Sequence, residues 1–335
     1  MEKRVLLHIG PYNLAEPIRK ELRDACRGSV VVETQDTTPL EELDGSSFDA
    51  LVAEEMPHNI DAWPRLRFIQ LLSAGINHLD GHPAWTTDVI VANASGTHAV
   101  PIAQYVTCAL LMMAHRMPQA TSVAATKQWN REGLDCTVIR GQSVGIIGYG
   151  SIGRECARQL SALGMKVVCM KRNPDLRRDD GHIAWPGTGD PEGKIPSRWY
   201  GPDNLRDMLP HCDALVLTVP STRESFGMIG AAELALMKKS AIVINVARGG
   251  IVNESALVAA LRNGQLAGAV IDCFSTEPPP PELPLFTAPN VILTPHVAGV
   301  FTNFWPVFAV LLTENLHRFL NKQPILNRVN SKLGY

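Results

Sequence analysis

The stretch Val144-Gly145-Ile146-Ile147-Gly148-Tyr149-Gly150-Ser151-Ile152-Gly153-Arg154-Glu155-Cys156-Ala157 decides the fold. A β-rich run, Val144–Ile147, leads directly into the spacing Gly-x-Gly-x-x-Gly, and the third glycine opens a helical pattern over Arg154–Leu163. Each glycine has its own reason. Gly148 permits a tight turn, Gly150 lets the backbone approach a pyrophosphate, and Gly153 allows close helix–strand packing, with the phosphates at the helix N-terminus. Tyr149, Ser151 and Ile152 complete this candidate cofactor loop. The glycine triplet alone is weak; the strand–turn–helix setting gives it meaning.

Outward from this loop, short β-rich runs recur at Lys166–Met170, Ala214–Val219, Ala241–Asn245, Ala267–Asp272 and Val291–Thr294. Helical patterns separate several of them, including Glu254–Asn263, opened by Asn253 as a cap and closed by Gly264. Such alternation predicts a parallel sheet covered on both faces, and six strands match a Rossmann dinucleotide-binding domain. Towards the N-terminus, Val5–Ile9, Val30–Val32, Ala50–Ala53 and Phe68–Leu72 predict a smaller α/β lobe. Pro101–Met117 and Thr302–Leu320 are long, apolar and helical in period, and are read as interdomain helices, the second returning the chain to the first lobe. The expected organisation is a nucleotide domain at 99–299 inserted into a substrate domain made of 1–98 plus 300–335. Residues 177–202, rich in Gly, Pro and charge, are expected to be a surface excursion.

At 335 residues the chain is long enough for about two domains. A formal charge of −2 provides no basic field for nucleic acid or an anionic membrane, so the expected partner is a small molecule. With 45% hydrophobic and 19% charged residues the chain should fold around a sizeable core. No apolar run reaches membrane-span length, and Met1–Pro11 reads as a first strand, too short for a signal-peptide core. The seven cysteines are scattered and lack Cys-x-x-Cys spacing, which predicts neither disulfides nor a metal site and places the chain in a reducing, cytoplasmic compartment.

Two positions carry the chemistry of the cofactor and three that of the substrate. The nucleotide fingerprint expects an acidic residue about 20 positions on, for the ribose hydroxyls. Lys171-Arg172-Asn173 stands there instead, and two cations suit the 2′-phosphate of NADP, so NADP(H) is the expected cofactor with NAD possible. Arg248 follows the fourth central strand, Glu277 comes shortly after the fifth, and His296 ends the sixth. In a parallel sheet these ends share one rim with the glycine loop. His296 can give a proton to a developing alkoxide because Glu277 would favour its charged form. Arg248 can hold a substrate carboxylate in its planar fork and polarise the neighbouring carbonyl.

At these residues the chain resembles the D-isomer-specific 2-hydroxyacid dehydrogenase family, most specifically over Gly141–Gly299. The family's loop segments are matched by Thr218–Ser225, by Asn245-Val246-Ala247-Arg248-Gly249, by Asp272-Cys273-Phe274-Ser275-Thr276-Glu277-Pro278 and by Pro295-His296-Val297-Ala298-Gly299. The resemblance implies a flavodoxin-like substrate domain, a catalytic triad of Arg248, Glu277 and His296, and contact of Asp272 with the nicotinamide carboxamide. It also places Val219, Pro220, Ser225, Val246, Ala247, Ala298 and Gly299 along the cofactor, with Arg248 and His296 reaching it too. Ser73-Ala74-Gly75-Ile76 looks like the family's substrate loop, whose backbone N–H groups hold a carboxylate. A homodimer through the nucleotide domain is implied as well.

The chain departs from the family at Lys171 and at Gln104, where Glu is common. Formate-acting members carry Gln where Glu277 stands, and phosphite-acting members a lysine in the substrate loop, so neither activity is expected. No room is expected after Leu320 for the regulatory domain of many phosphoglycerate dehydrogenases. Phe301, Phe304 and Trp305 follow His296 where many relatives are more polar, which suggests an apolar side to the pocket and 2-keto acids larger than glyoxylate. Interdomain packing explains those rings equally well. The leading expectation is an NADP(H)-dependent 2-keto acid reductase giving (R)-2-hydroxy acids; the alternative is a dinucleotide-sensing, corepressor-like binding protein, since corepressors of this fold keep the triad.

Overall fold

The computed structural model describes residues 2–34 and 37–331, so Met1 of the first-strand reading and residues 332–335 of the last segment lie outside the described residues. The chain divides into two compact units, one of Met1–His98, Gly181–Pro186 and Phe301–Tyr335, the other of Ala99–Asp180 and Gly187–Val300.

The first unit contains β1 (Arg4–Leu7), α1 (Glu16–Ala25), β2 (Val30–Glu33), β3 (Ala50–Ala53), β4 (Phe68–Leu71) and β5 (Ile90–Ala92). The strands are parallel in the order β2-β1-β3-β4-β5, the flavodoxin-like arrangement. Every residue of β3 and β4 is buried, as expected of strands covered on both faces. The sequence reading lacks β5, because three apolar residues carry no period to recognise.

The second unit begins with α2 (Ala99–Ala114) and α3 (Met117–Ala125), and continues through β6 (Ser143–Ile147), α4 (Ser151–Ala162), β7 (Lys166–Met170) and β8 (Arg198–Tyr200). Then follow α5 (Leu205–Met208), β9 (Ala214–Leu217), α6 (Ala231–Leu236), β10 (Ile242–Asn245), α7 (Glu254–Arg262), β11 (Gly268–Ile271) and β12 (Val291–Leu293). The sheet is parallel, in the order β12-β11-β10-β9-β6-β7-β8. Counted from β6, this is the doubly wound order 3-2-1-4-5-6 extended by one edge strand, with its switch point between β6 and β9. The Asn253 side chain caps α7 by accepting the Ala256 N–H at 2.9 Å.

The sequence count of six strands is corrected to seven, the addition being β8 inside the supposed surface excursion. That segment is pinned down by groups distant in sequence. Arg154, almost fully buried, donates to the Asp179 carboxylate at 3.0 Å, to the Arg177 carbonyl at 2.6 Å and to the Asp190 carbonyl. The Tyr149 hydroxyl donates to Asp190 Oδ2 at 2.8 Å. Gly181–Pro186 belongs to the first unit, where the His182 N–H donates to Asn327 Oδ1 at 3.2 Å.

The last helix, α8 (Phe304–Leu320), packs against α1 and β4 of the first unit and buries Phe308, Leu311, Leu312 and Leu316. Buried Asn315 donates to Gln70 Oε1 at 2.8 Å and accepts the Leu326 N–H at 2.9 Å. Among the described residues no helix is long and apolar enough to cross a membrane.

Candidate active site

Strand β6 delivers Gly148 into the turn with φ +95°, a conformation open to glycine and costly for other residues. A Cβ at Gly153 would lie 2.1 Å from the Gly148 carbonyl oxygen, so close packing of α4 on the turn requires glycine there. Nothing lies within 4 Å of a Cβ built on Gly150. The N-cap of α4 is Gly150, which has no side chain to cap the helix, and a helix N-terminus favours an anion. The loop thus fits a dinucleotide pyrophosphate. The Thr218 hydroxyl donates to the Gly148 carbonyl at 2.6 Å and ties the end of β9 to the turn. Tyr149 and Ile152 turn their side chains into packing, so their part in the loop is through the backbone. Ser225 Oγ donates to the Pro220 carbonyl at 2.7 Å and accepts the Thr222 N–H at 2.8 Å, fixing the loop after β9 where Val219 packs on the core.

The loop after β10 is set by Asn245. Its Oδ1 accepts the Ala247 N–H at 3.1 Å and its Nδ2 donates to the Arg248 carbonyl at 2.9 Å, while Val246 and Ala247 are buried. A Cβ at Gly249 would stand 1.8 Å from the Phe274 carbonyl oxygen, so glycine at this position is what lets the loop close on the loop after β11. Arg248 forms no ion pair among the described residues; its guanidinium donates to the Ala247 carbonyl at 2.7 Å.

Asp272, 1% exposed, organises the rest. Its carboxylate accepts the Thr294 hydroxyl at 2.5 Å and the Val297 and Ala298 N–H groups at 2.9 Å each. Its carbonyl accepts the His296 N–H at 2.8 Å. These bonds hold His296 at φ +54°, where a non-glycine residue costs about 1–2 kcal/mol. The strained backbone aims the ring at Glu277, whose Oε2 lies 2.8 Å from His296 Nδ1 while Oε1 accepts the Phe274 N–H at 2.8 Å. Burial pushes the Glu277 carboxyl up, but the His296 bond, the Phe274 N–H and the charges of His296 and Arg248 outweigh it and hold Glu277 below the usual carboxylate range. An ionised carboxylate only accepts, so Nδ1 carries the proton and Nε2 is left to exchange one.

At the end of β7, Lys171 Nζ donates to the Leu176 carbonyl at 2.7 Å, and burial followed by the Arg154 charge lowers its pKa. Arg172 is exposed; the Thr222 hydroxyl does most to hold the Glu224 carboxyl below the usual range, and the charges of Arg172 and Arg223 add to it, which brings the two arginines of the loops after β7 and β9 to one neighbourhood. Arg223 was missed by sequence reasoning; its signal lay within the quoted Thr218–Ser225 segment. Thr294, Asn245 and the holding role of Asp272 were missed too, because each acts through contacts made only on folding.

In the first unit the Ser73 carbonyl accepts the Ala94 N–H at 2.8 Å and the Ala74 carbonyl accepts Asn93 Nδ2 at 2.9 Å; Gly75 follows, and Ile76 is buried. The loops after β1, β3, β4 and β5 share one rim of this parallel sheet. There Tyr12 donates to Glu54 Oε2 at 3.1 Å and its ring meets Trp305 edge-on at 5.0 Å, while His98 stacks on Phe304 at 5.2 Å and meets Phe301 at 5.9 Å.

A doubly wound sheet with this loop, and with Arg, Glu and His at its carboxyl-end rim, belongs to the class of nicotinamide-dinucleotide oxidoreductases. Comparison with known proteins narrows the class. The model of the D-isomer specific 2-hydroxyacid dehydrogenase NAD binding domain matches residues 107–298. A glyoxylate reductase of Thermofilum pendens is 31% identical over 314 residues, which cover 90% of this chain and 88% of that protein. A D-3-phosphoglycerate dehydrogenase of Archaeoglobus fulgidus is 29% identical over 95% of this chain, which spans only 58% of that relative's length. The crystal structure of a D-isomer specific 2-hydroxyacid dehydrogenase from Xanthobacter autotrophicus Py2, in complex with NADPH and MES, superposes with a TM-score of 0.82 at 27% identity, covering 99% of each chain. The chain belongs to the D-isomer specific 2-hydroxyacid dehydrogenase family.

Proposed function

We propose that the protein reduces a 2-keto acid to the (R)-2-hydroxy acid with NADPH as preferred cofactor, and catalyses the reverse oxidation. The observation that carries this reading is the 2.8 Å His296–Glu277 pair on the rim that also bears Arg248 and the glycine loop. When bound, the dinucleotide supplies a hydride to the keto carbon. His296 Nε2 gives the proton that the resulting alkoxide needs, and Glu277 stabilises the charged ring and fixes its orientation. Arg248 holds the substrate carboxylate and polarises the carbonyl, and the N–H groups of Ser73–Ile76 are assigned to substrate binding by the family resemblance. In the cofactor loop Gly148–Gly153 holds the pyrophosphate, and the segments that include Ser225, Val246, Ala247, Asp272, Ala298 and Gly299 line the nicotinamide side.

The cation pair Lys171 and Arg172, with Arg223 nearby, supports the NADPH preference. The relative from Xanthobacter autotrophicus, solved with NADPH, is in keeping with it. The ring cluster of Tyr12, His98, Phe301, Phe304 and Trp305 on the substrate-loop rim supports 2-keto acids with bulky apolar substituents.

A homodimer is supported by the surface of the second unit. Helix α3 buries none of its residues, and the segment after it exposes Trp129 to 92% and Val138 to 71%. A lone chain has little reason to present such apolar side chains to water, and a second copy would cover them. All seven cysteines are free thiols, in keeping with the cytoplasm.

The test is NADPH oxidation across a panel of 2-keto acids from glyoxylate to phenylpyruvate and branched-chain acids, with His296→Ala as control. Turnover that His296→Ala abolishes while NADPH still binds is the expected result. An undiminished rate in that variant overturns the catalytic assignment. Glyoxylate preferred over the bulky acids overturns the apolar pocket.

A further inference from the structure

Cys273 follows Asp272 directly and takes no part in the chemistry proposed above. Its thiol is buried, points to the Ala247 carbonyl at 3.6 Å, and is pushed up to about 12 by that burial and by the neighbouring Asp272 charge. Its sulfur, a Glu277 carboxylate oxygen and a His296 ring nitrogen all lie within 4.8 Å of one another. The sequence carries no metal-binding spacing here, because the three donors come from two loops that meet only in the folded sheet.

We propose that these three side chains form an inhibitory site for a thiophilic divalent cation such as Zn²⁺ or Cd²⁺. Thiolate, imidazole and carboxylate are together a zinc donor set, with Zn–S about 2.3 Å and Zn–N and Zn–O about 2.0–2.2 Å. At tetrahedral angles such bonds separate the donors by roughly 3.3–3.6 Å. The 2.8 Å Nδ1–Oε2 pair must therefore open slightly, and the widest separation must close by about an ångström, within the reach of side-chain rotation. A bound cation displaces the proton between Nδ1 and Oε2, which passes through solvent to Nε2 so that the ring stays neutral, and the thiol proton leaves to solvent. The fourth position stays open to water. Glu277 then no longer orients the ring, and the cation holds His296 away from proton exchange at the alkoxide. The side chains of His296 and Glu277 are 42% and 37% exposed, so a cation enters from their side and meets the buried sulfur behind them. The Arg248 charge, which acts on both Cys273 and Glu277, opposes the cation and keeps binding reversible, while Asp272 favours it.

The experiment uses the full chain in a Cys108→Ser/Cys136→Ser background, because those two thiols are exposed and would bind cadmium themselves. Cd²⁺ titration is read from the ultraviolet thiolate-to-cadmium absorption, and Zn²⁺ affinity from competition with a chromophoric chelator. One cadmium per chain with a thiolate band is expected. Cys273→Ala should abolish the band, lower zinc affinity by about a hundredfold and leave turnover intact at zinc levels that halve the parent's. Cys273→Ser serves as the second variant should the alanine disturb packing, with NADPH binding as the check of folding. A band that survives both substitutions, or zinc inhibition equal in parent and variants, overturns the site. The inhibition arm rests on the proposed reductase reading and the spectroscopic arm does not. A chain that reduces no 2-keto acid yet shows the Cys273-dependent band would refute the reaction and leave the metal site standing.

Discussion

Glu277→Gln tests the dyad most sharply, because it keeps the shape of the side chain and removes only its charge. The native carboxylate accepts two bonds at 2.8 Å, from His296 Nδ1 and from the Phe274 N–H. The amide has one oxygen, so it satisfies one donor and turns an NH₂ towards the other. Replacing a charge-assisted bond of about 1.5–3 kcal/mol by a neutral one of about 0.5–1.5 kcal/mol loses about 1–2 kcal/mol. The pair is more than a third exposed, and solvent screening favours the lower half of that range. At about 1.4 kcal/mol per tenfold, the reductive kcat/KM should fall by about 5- to 12-fold. The pH dependence carries a sign as well. Glu277 is held below the usual carboxylate range, so its stabilisation of the pair is present at neutral pH and is lost as pH falls through its folded value. The native protein should show an acid limb from this loss that the variant lacks. The assay is NADPH oxidation at saturating cofactor from about pH 3 to about 9, with NADPH binding as a folding control. A variant within twofold of the native rate and with the same profile would refute the coupling of Glu277 to His296.

Other outcomes follow from the same geometry. Arg248→Lys keeps the charge and loses the fork, at a cost of one charge-assisted bond, so kcat/KM should fall about 10- to 100-fold, read in the same assay. Lys171→Ala/Arg172→Ala should lower the ratio of NADPH to NADH efficiency by about tenfold or more, mainly through KM for NADPH; a native protein that prefers NADH would contradict the phosphate assignment. Trp129→Glu should shift a dimer towards monomer by light scattering after size exclusion, with the dissociation constant raised about 30-fold or more if the ring is an interface anchor.

What the sequence made legible was chemistry fixed by neighbours in the chain. The Gly148–Gly153 loop is local: φ at Gly148, packing at Gly153 and open space at Gly150 all follow from residues a few positions apart. The same holds for the Asn253 cap and for the apolar strands β6, β9 and β11. Legibility ended where a short element depends on distant partners. Strand β5 has three residues, and β8 sits in a polar stretch whose order comes from Arg154 and Tyr149 reaching across from the glycine turn and helix α4. A buried guanidinium answered by carbonyls from Arg177 and Asp190 has no periodic signature, yet leaving it unpaired would cost several kcal/mol, so the segment must close over it.

The same limit separates the identity of the candidate dyad from its geometry. His296 and Glu277 could be picked from the sequence as a proton donor and a carboxylate, but nothing there says that they should meet at 2.8 Å. That meeting depends on Asp272, buried and spending its carboxylate on Thr294, Val297 and Ala298. Without those three bonds the backbone at His296 would relax out of the left-handed region, and the ring would leave Glu277. Asp272 therefore has a positioning role that stands whether or not it also touches a nicotinamide. Its loss would act on the orientation of His296 before any loss of cofactor affinity, because the bonds it makes are to the loop that carries the ring.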